Sequence, residues 1–265
     1  MKKPYKNITN IDIDKTKTQL VNFIRNTVHD AGFGRVVLGA SGGVDSATVA
    51  YLSEEALGAD NVIAAILPYD DIDPDGARLA NAVIDKLKIK KYVVDITPMV
   101  DAYFKNFPEA DNIRRGNKMA RERMTILYDL SKKENALVIG SGNKTESLLG
   151  YCTLYGDTAC ALNPLANLYK TQIYALAKYL GVPEEIIKKK PTAGLWKGQT
   201  DEGEMGCAYS DVDRLLPLMV DAKLTDSELE KEGFDKKFID SIRKRIKASE
   251  FKRKLPEVPR PLGSG

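Results

Sequence analysis

The run Arg35-Val36-Val37-Leu38-Gly39-Ala40-Ser41-Gly42-Gly43-Val44-Asp45-Ser46 decides the fold. Its first five residues, valine- and leucine-rich, read as a strand. Two adjacent glycines then let the backbone turn and approach a ligand closely, and an apolar stretch from 44 to about 57 reads as a helix that starts at the turn. A strand that passes through a glycine turn into a helix offers free N–H groups and the positive end of the helix dipole, which together bind anions. Gly39, Ala40, Ser41, Gly42, Gly43, Val44, Asp45 and Ser46 are therefore a candidate phosphate cradle, with two hydroxyl donors. It is not a Walker loop, because no lysine follows the glycines, and not a dinucleotide fingerprint, because the glycine spacing differs. Asp45 is informative because an acid at an anion site is repulsive unless a cation bridges it to the phosphates. It predicts Mg²⁺, held by one or two carboxylates and by phosphate oxygens.

Working outward, further strands are expected at 61–67, closed by Pro68, at 91–95 and at 136–140. Each is a short apolar run rather than an alternation, as suits strands covered on both faces. Helical patterns lie between them. Asp12 or Asp14 caps a helix carrying Leu20, Phe23, Ile24 and Val28, and Asp73-Pro74 starts one that runs to 87. The stretch 112–133 is long, charged and helix-favouring. This rhythm predicts an α/β fold: an open, doubly wound, Rossmann-like parallel sheet with helices on both faces. After Gly140 strands become scarce. Helices are expected at about 168–180, 183–189, 209–222 and 235–249, with a short capped start at 224–229, giving a helical C-terminal part. No linker separates units, so a single domain over 1–265 is expected, with an N-terminal helical segment at about 1–34 and a flexible, basic, proline-rich tail at about 250–265.

Composition excludes several classes. With 265 residues, 43% hydrophobic and 29% charged, the chain is ordinary for a soluble globular protein. A net charge of +3 does not argue for nucleic acid. Positive charge is concentrated at 236–254, which reads either as a solvated helix face or as an element closing over a phosphate-bearing ligand. Cys152, Cys160 and Cys207 fit a reducing compartment and match no zinc or redox spacing. The polar N-terminus shows no signal peptide, and no apolar run reaches membrane-span length, so a cytoplasmic location without membrane contact is expected. The only histidine, His29, removes Ser-His-Asp triads and poly-histidine metal sites from consideration.

The hexapeptide from Ser41 to Ser46 resembles the loop of the ATP pyrophosphatases, which adenylate a substrate oxygen and release pyrophosphate. The rest of the chain resembles the NAD synthetases over roughly 35–255. The resemblance is carried by Asn117-Lys118-Met119-Ala120-Arg121-Glu122-Arg123-Met124, Gly140-Ser141-Gly142-Asn143-Lys144-Thr145-Glu146, Gly150-Tyr151, Tyr155-Gly156-Asp157, Leu168-Tyr169-Lys170-Thr171, Lys190-Pro191-Thr192-Ala193-Gly194-Leu195-Trp196 and Gly198-Gln199-Thr200-Asp201-Glu202. It implies that Asp45 and Glu146 hold Mg²⁺, and that Ser141, Lys170 and Thr192 contact the phosphates of ATP as co-substrate. It also implies that Arg121 and Lys252 meet deamido-NAD. Lys252 matches the second member of a His-Lys pair whose first place is Phe251 here. Leu154 and Ala161 stand where many members carry Lys and Asp, so other groups hold the nicotinate end.

The implied reaction adenylates the nicotinate carboxylate and then lets ammonia displace AMP. Asp201 or Glu202, in an acidic loop expected to close over the intermediate, helps to hold ammonium or accept its proton. Free ammonia is the expected donor, because no glutaminase unit is found, and a homodimer is expected. A tRNA-modifying ATP pyrophosphatase is the alternative, and it would ordinarily carry a persulfide cysteine or a CxxC pair, which are lacking here. No nucleic-acid partner is expected.

Overall fold

The computed structural model describes residues 10–70 and 72–259. In chain order the elements are α1 (Ile13–Asp30), β1 (Val36–Gly39), α2 (Val44–Leu57), β2 (Val62–Ile66), α3 (Pro74–Leu87), β3 (Lys90–Val93), α4 (Thr97–Phe104), α5 (Asn112–Glu134) and β4 (Leu137–Val138). Then follow α6 (Lys144–Leu149), α7 (Lys170–Tyr179), α8 (Glu184–Lys188), α9 (Asp201–Met205), α10 (Tyr209–Leu216), α11 (Asp226–Lys231) and α12 (Lys236–Ala248). A π turn at Pro217–Asp221 extends α10, and a 3-10 turn at Glu250–Arg253 follows α12.

Local chemistry sets these boundaries. The Asp12 carboxylate caps α1 by accepting from the Lys15 amide at 3.1 Å, and Asp73 caps α3 from Gly76 at 2.9 Å with Pro74 in the first turn. Asp111 caps α5, which ends at Asn135 in the left-handed conformation. The strands form one parallel sheet in the order β3-β2-β1-β4. β1 and β2 are buried almost throughout, as their apolar runs require, while β3 is an exposed edge with two lysines.

Alternate residues feed opposite cores. Val36, Leu38, Val62, Ala64 and Ile66 pack with α1, α2, α3 and α7, whereas Val37, Ile63 and Ala65 pack with α4 and α5. Each fully buried Val, Leu or Ile contributes roughly 1.5–3 kcal/mol over its exposed state. A third cluster joins α6, α10, α11 and α12 through Leu149, Val212, Leu215, Leu229 and Ile239.

β4 is shorter than the 136–140 stretch of the sequence reading. A second segment takes over its hydrogen bonds: Ala161 N–H donates to the Val138 carbonyl at 2.9 Å and Gly140 N–H to that of Leu162 at 2.8 Å. The short α4 and the one-turn helices α6 and α9 have no strong periodic signature. Of the expected tail, Glu250–Arg253 forms the 3-10 turn, and 260–265 lie outside the described residues, as do 1–9 of the N-terminal segment.

Candidate active site

The strand order places β2 and β4 on opposite sides of β1, so the chain changes direction at the carboxyl ends of β1 and β4. Open α/β sheets bind ligands in such a crevice. A cleft of about 640 Å³ opens there. It is lined by the Gly39–Ser46 loop, the end of β2, the Ser141 loop, Glu146, Lys170 and the 189–199 segment.

The cradle after β1 is knitted by its own serines. The Ser41 and Ser46 hydroxyls lie 3.0 Å apart, the Gly43 amide donates to Ser41 Oγ at 3.2 Å, and Ser46 Oγ donates to the Gly43 carbonyl at 3.1 Å. Gly43 is the N-cap of α2 and provides no side-chain cap, so the helix start is open to an anion. Gly42 has φ +73°, and a Cβ there would stand 2.2 Å from the Gly76 carbonyl oxygen. Only glycine lets the loop sit this close to the first turn of α3.

Three charged groups converge beside the cradle. Lys170, at the start of α7 and only 3% exposed, donates through Nζ to Asp45 Oδ2 and to Glu146 Oε1, the latter at 3.2 Å. Asn143 donates to Asp45 Oδ1 at 3.2 Å and caps α6 in a capping box completed by Glu146. Burial alone would lower the Lys170 pKa, but the carboxylates of Asp45 and Glu146 outweigh it and hold the ammonium above its ordinary range. Burial pushes the Glu146 carboxyl up to about 7, with Asp45 and Asp201 adding to the rise and Lys170 opposing it. Because one ammonium reaches both carboxylates, Asp45 and Glu146 are close enough to share a single cation. Two carboxylates with phosphate oxygens and water make a hard-cation donor set. No group of three His, Cys, Asp or Glu side chains forms a metal cluster among the described residues.

A second layer of acids faces this trio. Asp201, on α9 and 4% exposed, accepts from Tyr209 at 3.1 Å and from Tyr151 at 3.0 Å. The Tyr151 hydroxyl is also 2.6 Å from Glu204 Oε2, which Gln199 Nε2 reaches at 2.9 Å. Burial raises the Asp201 carboxyl pKa, while Lys170 and the two tyrosine bonds pull it down. Glu202 turns away and caps α10 by accepting from the Tyr209 amide at 2.9 Å.

The structure brings most of the sequence-derived candidates together: the Gly39–Ser46 loop apart from Gly42, with Ser141, Glu146, Lys170, Thr192 and Asp201, lines the cleft, while Gly42 sits against Gly76. Thr192 also orders its own loop, donating to the Gln199 carbonyl at 2.9 Å and accepting from the Gly194 amide at 3.1 Å. Arg121 lies apart from the cleft lining, exposed, with Nε donating to the Leu154 carbonyl at 3.1 Å. Lys252 is behind the wall: its Nζ donates to the carbonyls of Gly150 at 2.8 Å and Cys152 at 2.7 Å.

Sequence reasoning missed Asn143, Tyr151, Gln199, Glu204 and Tyr209 as site residues. The pattern Asn143-Lys144-Thr145-Glu146 is a capping box and could have flagged the first. The tyrosines carry no local signal. Arg123 was also missed. It donates to the Leu67 carbonyl at 3.0 Å, lines the cleft, and burial lowers its pKa to about 10.

With this geometry in place, comparison with known proteins is specific. The family model described as NAD synthase matches residues 16–256. A Fusobacterium nucleatum protein named NH(3)-dependent NAD(+) synthetase is 50% identical over 252 residues, covering 95% of this chain and 98% of its own. A Trichlorobacter lovleyi protein of the same name is 49% identical, covering 96% and 93%. Among solved structures, the NH3-dependent NAD synthetase from Campylobacter jejuni has a TM-score of 0.82 at 35% identity, covering 95% of this chain and 100% of that one. The NMN synthetase from Francisella tularensis has a TM-score of 0.84 at 34% identity, covering 94% and 99%.

Proposed function

The chain belongs to the NAD synthase family, and on that premise we propose how its cleft performs the family reaction. The enzyme is an ammonia-dependent ligase that uses ATP to convert deamido-NAD to NAD. One observation carries the mechanistic reading: Asp45, Glu146 and Lys170 converge beside an open helix N-terminus at the sheet's switch point.

ATP places its phosphates on the Ser41–Ser46 loop, where the α2 amides and the serine hydroxyls donate to the phosphate oxygens. The nicotinate carboxylate attacks the α-phosphorus, forming the acyl–oxygen–phosphorus bond as the bond to pyrophosphate breaks. Attacker and target are both anionic. Lys170 offsets that repulsion and stabilises the departing pyrophosphate, with Thr192 and Ser141 steadying the chain of phosphates. Asp45 and Glu146 are the residues that would hold Mg²⁺, which would supply charge neutralisation for the phosphates. Ammonia then adds to the acyl carbon and AMP leaves, yielding the amide. Asp201, backed by Tyr151 and Tyr209, holds ammonium and takes its proton.

Arg121 and the Lys252-supported turn at Gly150 serve the dinucleotide end. Arg121 lies beyond the cleft wall, which accords with a homodimer that completes the dinucleotide site across an interface. Met99, Tyr103, Phe107 and Ile113 are exposed on and between α4 and α5 and supply an apolar surface for it. Among the described residues no helix is long and apolar enough to cross a membrane, and the three free cysteines suit the cytoplasm.

The test is product formation by the purified chain from ATP, Mg²⁺ and ammonium, with deamido-NAD or nicotinate mononucleotide as acceptor. AMP and NAD should appear in equal amounts, and glutamine should not replace ammonium. Efficient use of glutamine, or preference for the mononucleotide, would overturn the donor or the acceptor assignment.

A further inference from the structure

Asp213, on α10, is 1% exposed and is not among the residues lining the cleft. Its carboxylate nevertheless joins the two helices that carry the cleft's charges. Oδ1 accepts from the Thr145 hydroxyl at 2.6 Å, and Oδ2 accepts from the Thr171 amide at 2.7 Å. Thr145 Oγ1, itself fully buried, accepts in turn from the Lys170 amide at 3.0 Å. The chain therefore runs from Lys170 N–H to Thr145 O–H to Asp213, and returns from Asp213 to Thr171 N–H.

The placement of these residues gives the chain its meaning. Thr145 immediately precedes Glu146 in the first turn of α6. Lys170 and Thr171 are the first two residues of α7. Helix starts carry amides with no partner inside the helix. The N-cap of α7 is Tyr169, whose side chain makes no cap bond to those amides. Two α7 amides are instead satisfied by Thr145 from α6 and Asp213 from α10. A carboxylate there also meets the positive end of the α7 dipole.

Register matters at this junction because Lys170 Nζ must meet both Asp45 and Glu146. A displacement of about 1 Å in such an arrangement costs on the order of 10²-fold in rate.

We propose that Asp213 is a positioning residue that, through Thr145, sets the first turns of α6 and α7 against each other and so places Glu146 and Lys170 for the adenylation step. This rests on the reading of those two residues as ATP-handling groups. Asparagine does not preserve both bonds: its amide turns one of the two acceptors into a donor, so either the Thr171 amide or the Thr145 hydroxyl loses its acceptor.

The experiment compares Asp213→Asn, Thr145→Val, Thr145→Ser, Lys170→Gln and the Asp213→Asn/Lys170→Gln double variant. It measures kcat, KM for ATP and for deamido-NAD, circular dichroism and melting temperature. Asp213→Asn and Thr145→Val should each lower kcat about tenfold or more with both KM values within about threefold, because the contacts they place act in the transition state. Thr145→Ser, which keeps the hydroxyl, should stay within about twofold of wild type. The double variant should be no slower than Lys170→Gln, since both changes disable one unit.

A folded Asp213→Asn or Thr145→Val enzyme with wild-type kcat, beside an inactive Lys170→Gln enzyme, would overturn the positioning role alone. Losses that track only the fraction unfolded would reduce Asp213 to a structural anchor and overturn it as well. If Asp213→Asn does not fold, the near-isosteric Thr145→Val decides. An active Lys170→Gln enzyme would instead sink the underlying reading of the ATP site.

Discussion

Replacing Gly42 by alanine tests whether the cradle is held in place by its contact with α3. The added Cβ would lie 2.2 Å from the Gly76 carbonyl oxygen, 2.9 Å from its carbon and 3.0 Å from its Cα, all backbone atoms that no rotamer change can move. Reaching even ~3.0 Å from that oxygen means separating the loop from the first turn of α3 by roughly 0.8 Å. Two costs add. The left-handed φ costs a residue with a Cβ about 1–2 kcal/mol, and overpacking against fixed backbone costs about 1–3 kcal/mol. The expected loss is therefore about 2–5 kcal/mol in denaturant unfolding, and the shift of the loop should lower kcat/KM for ATP by on the order of 10²-fold. Gly181→Ala is the matched control: its φ is +75° and nothing lies within 4 Å of the Cβ position, so it carries the backbone strain without the collision. It should lose about 1–2 kcal/mol and keep its activity. The assay is AMP release with saturating ammonium, run beside urea unfolding of both variants. If Gly42→Ala were as stable as Gly181→Ala and within about threefold of wild-type activity, the Gly42–Gly76 contact would not be what places the cradle.

Asp45→Asn should fold normally and lose more than about 10²-fold in rate; full activity with unchanged Mg²⁺ dependence would remove Asp45 from the metal site. Glu134 accepts from Lys90 and Tyr92 at the sheet edge, and these bonds, Lys90 first, hold its carboxyl below the ordinary 4.5. A depressed carboxylate stabilises the fold above its unfolded-state pKa, and that stability is lost as pH falls through the folded-state value. The melting-temperature gap between wild type and Glu134→Gln should therefore be full above about pH 5 and close on acidification, and a pH-independent gap would contradict it. Sedimentation should give a dimer; a fully active monomer at nanomolar concentration would refute it. Lys252→Ala should raise KM for deamido-NAD more than KM for ATP, whereas equal effects would leave Lys252 a general support of the wall.

The sheet was legible because buried parallel strands write themselves as short apolar runs: β1 and β2 fall within a residue of where valine, isoleucine and alanine cluster. The cradle was legible because Gly42, Gly43 and Asp45 follow such a run directly. The acid layer was legible only in part. The acidic loop pointed to Asp201, but not to the start of α9 at that residue nor to Tyr151 and Tyr209, whose hydroxyls clasp its carboxylate. Contacts of that kind depend on which helices meet, and periodicity holds no record of it. The basic segment shows the same limit. Its charge suggested either a solvated face or an element closing over a ligand, and could not show that Lys252 and Arg253 donate to the carbonyls of Gly150, Cys152, Ser147 and Leu148.

Those carbonyls belong to the end of α6 and the turn beyond it, and their capture bears on how the site is built. α6 spans only six residues and α9 five, lengths at which a helix has little stability of its own. Glu146 and Asp201 are carried on these two. What fixes them is partners at their ends: Asn143 and Thr145 with Asp213 at the start of α6, Lys252 and Arg253 at its finish, and the tyrosine pair over α9. The phosphate cradle, by contrast, rests on buried β1 and the fourteen-residue α2. The two halves of the site should therefore fail differently. Damage to the cradle should cost global stability together with ATP binding. Damage to the caps should leave the sheet and the fold standing while the charges that drive the chemistry lose their register.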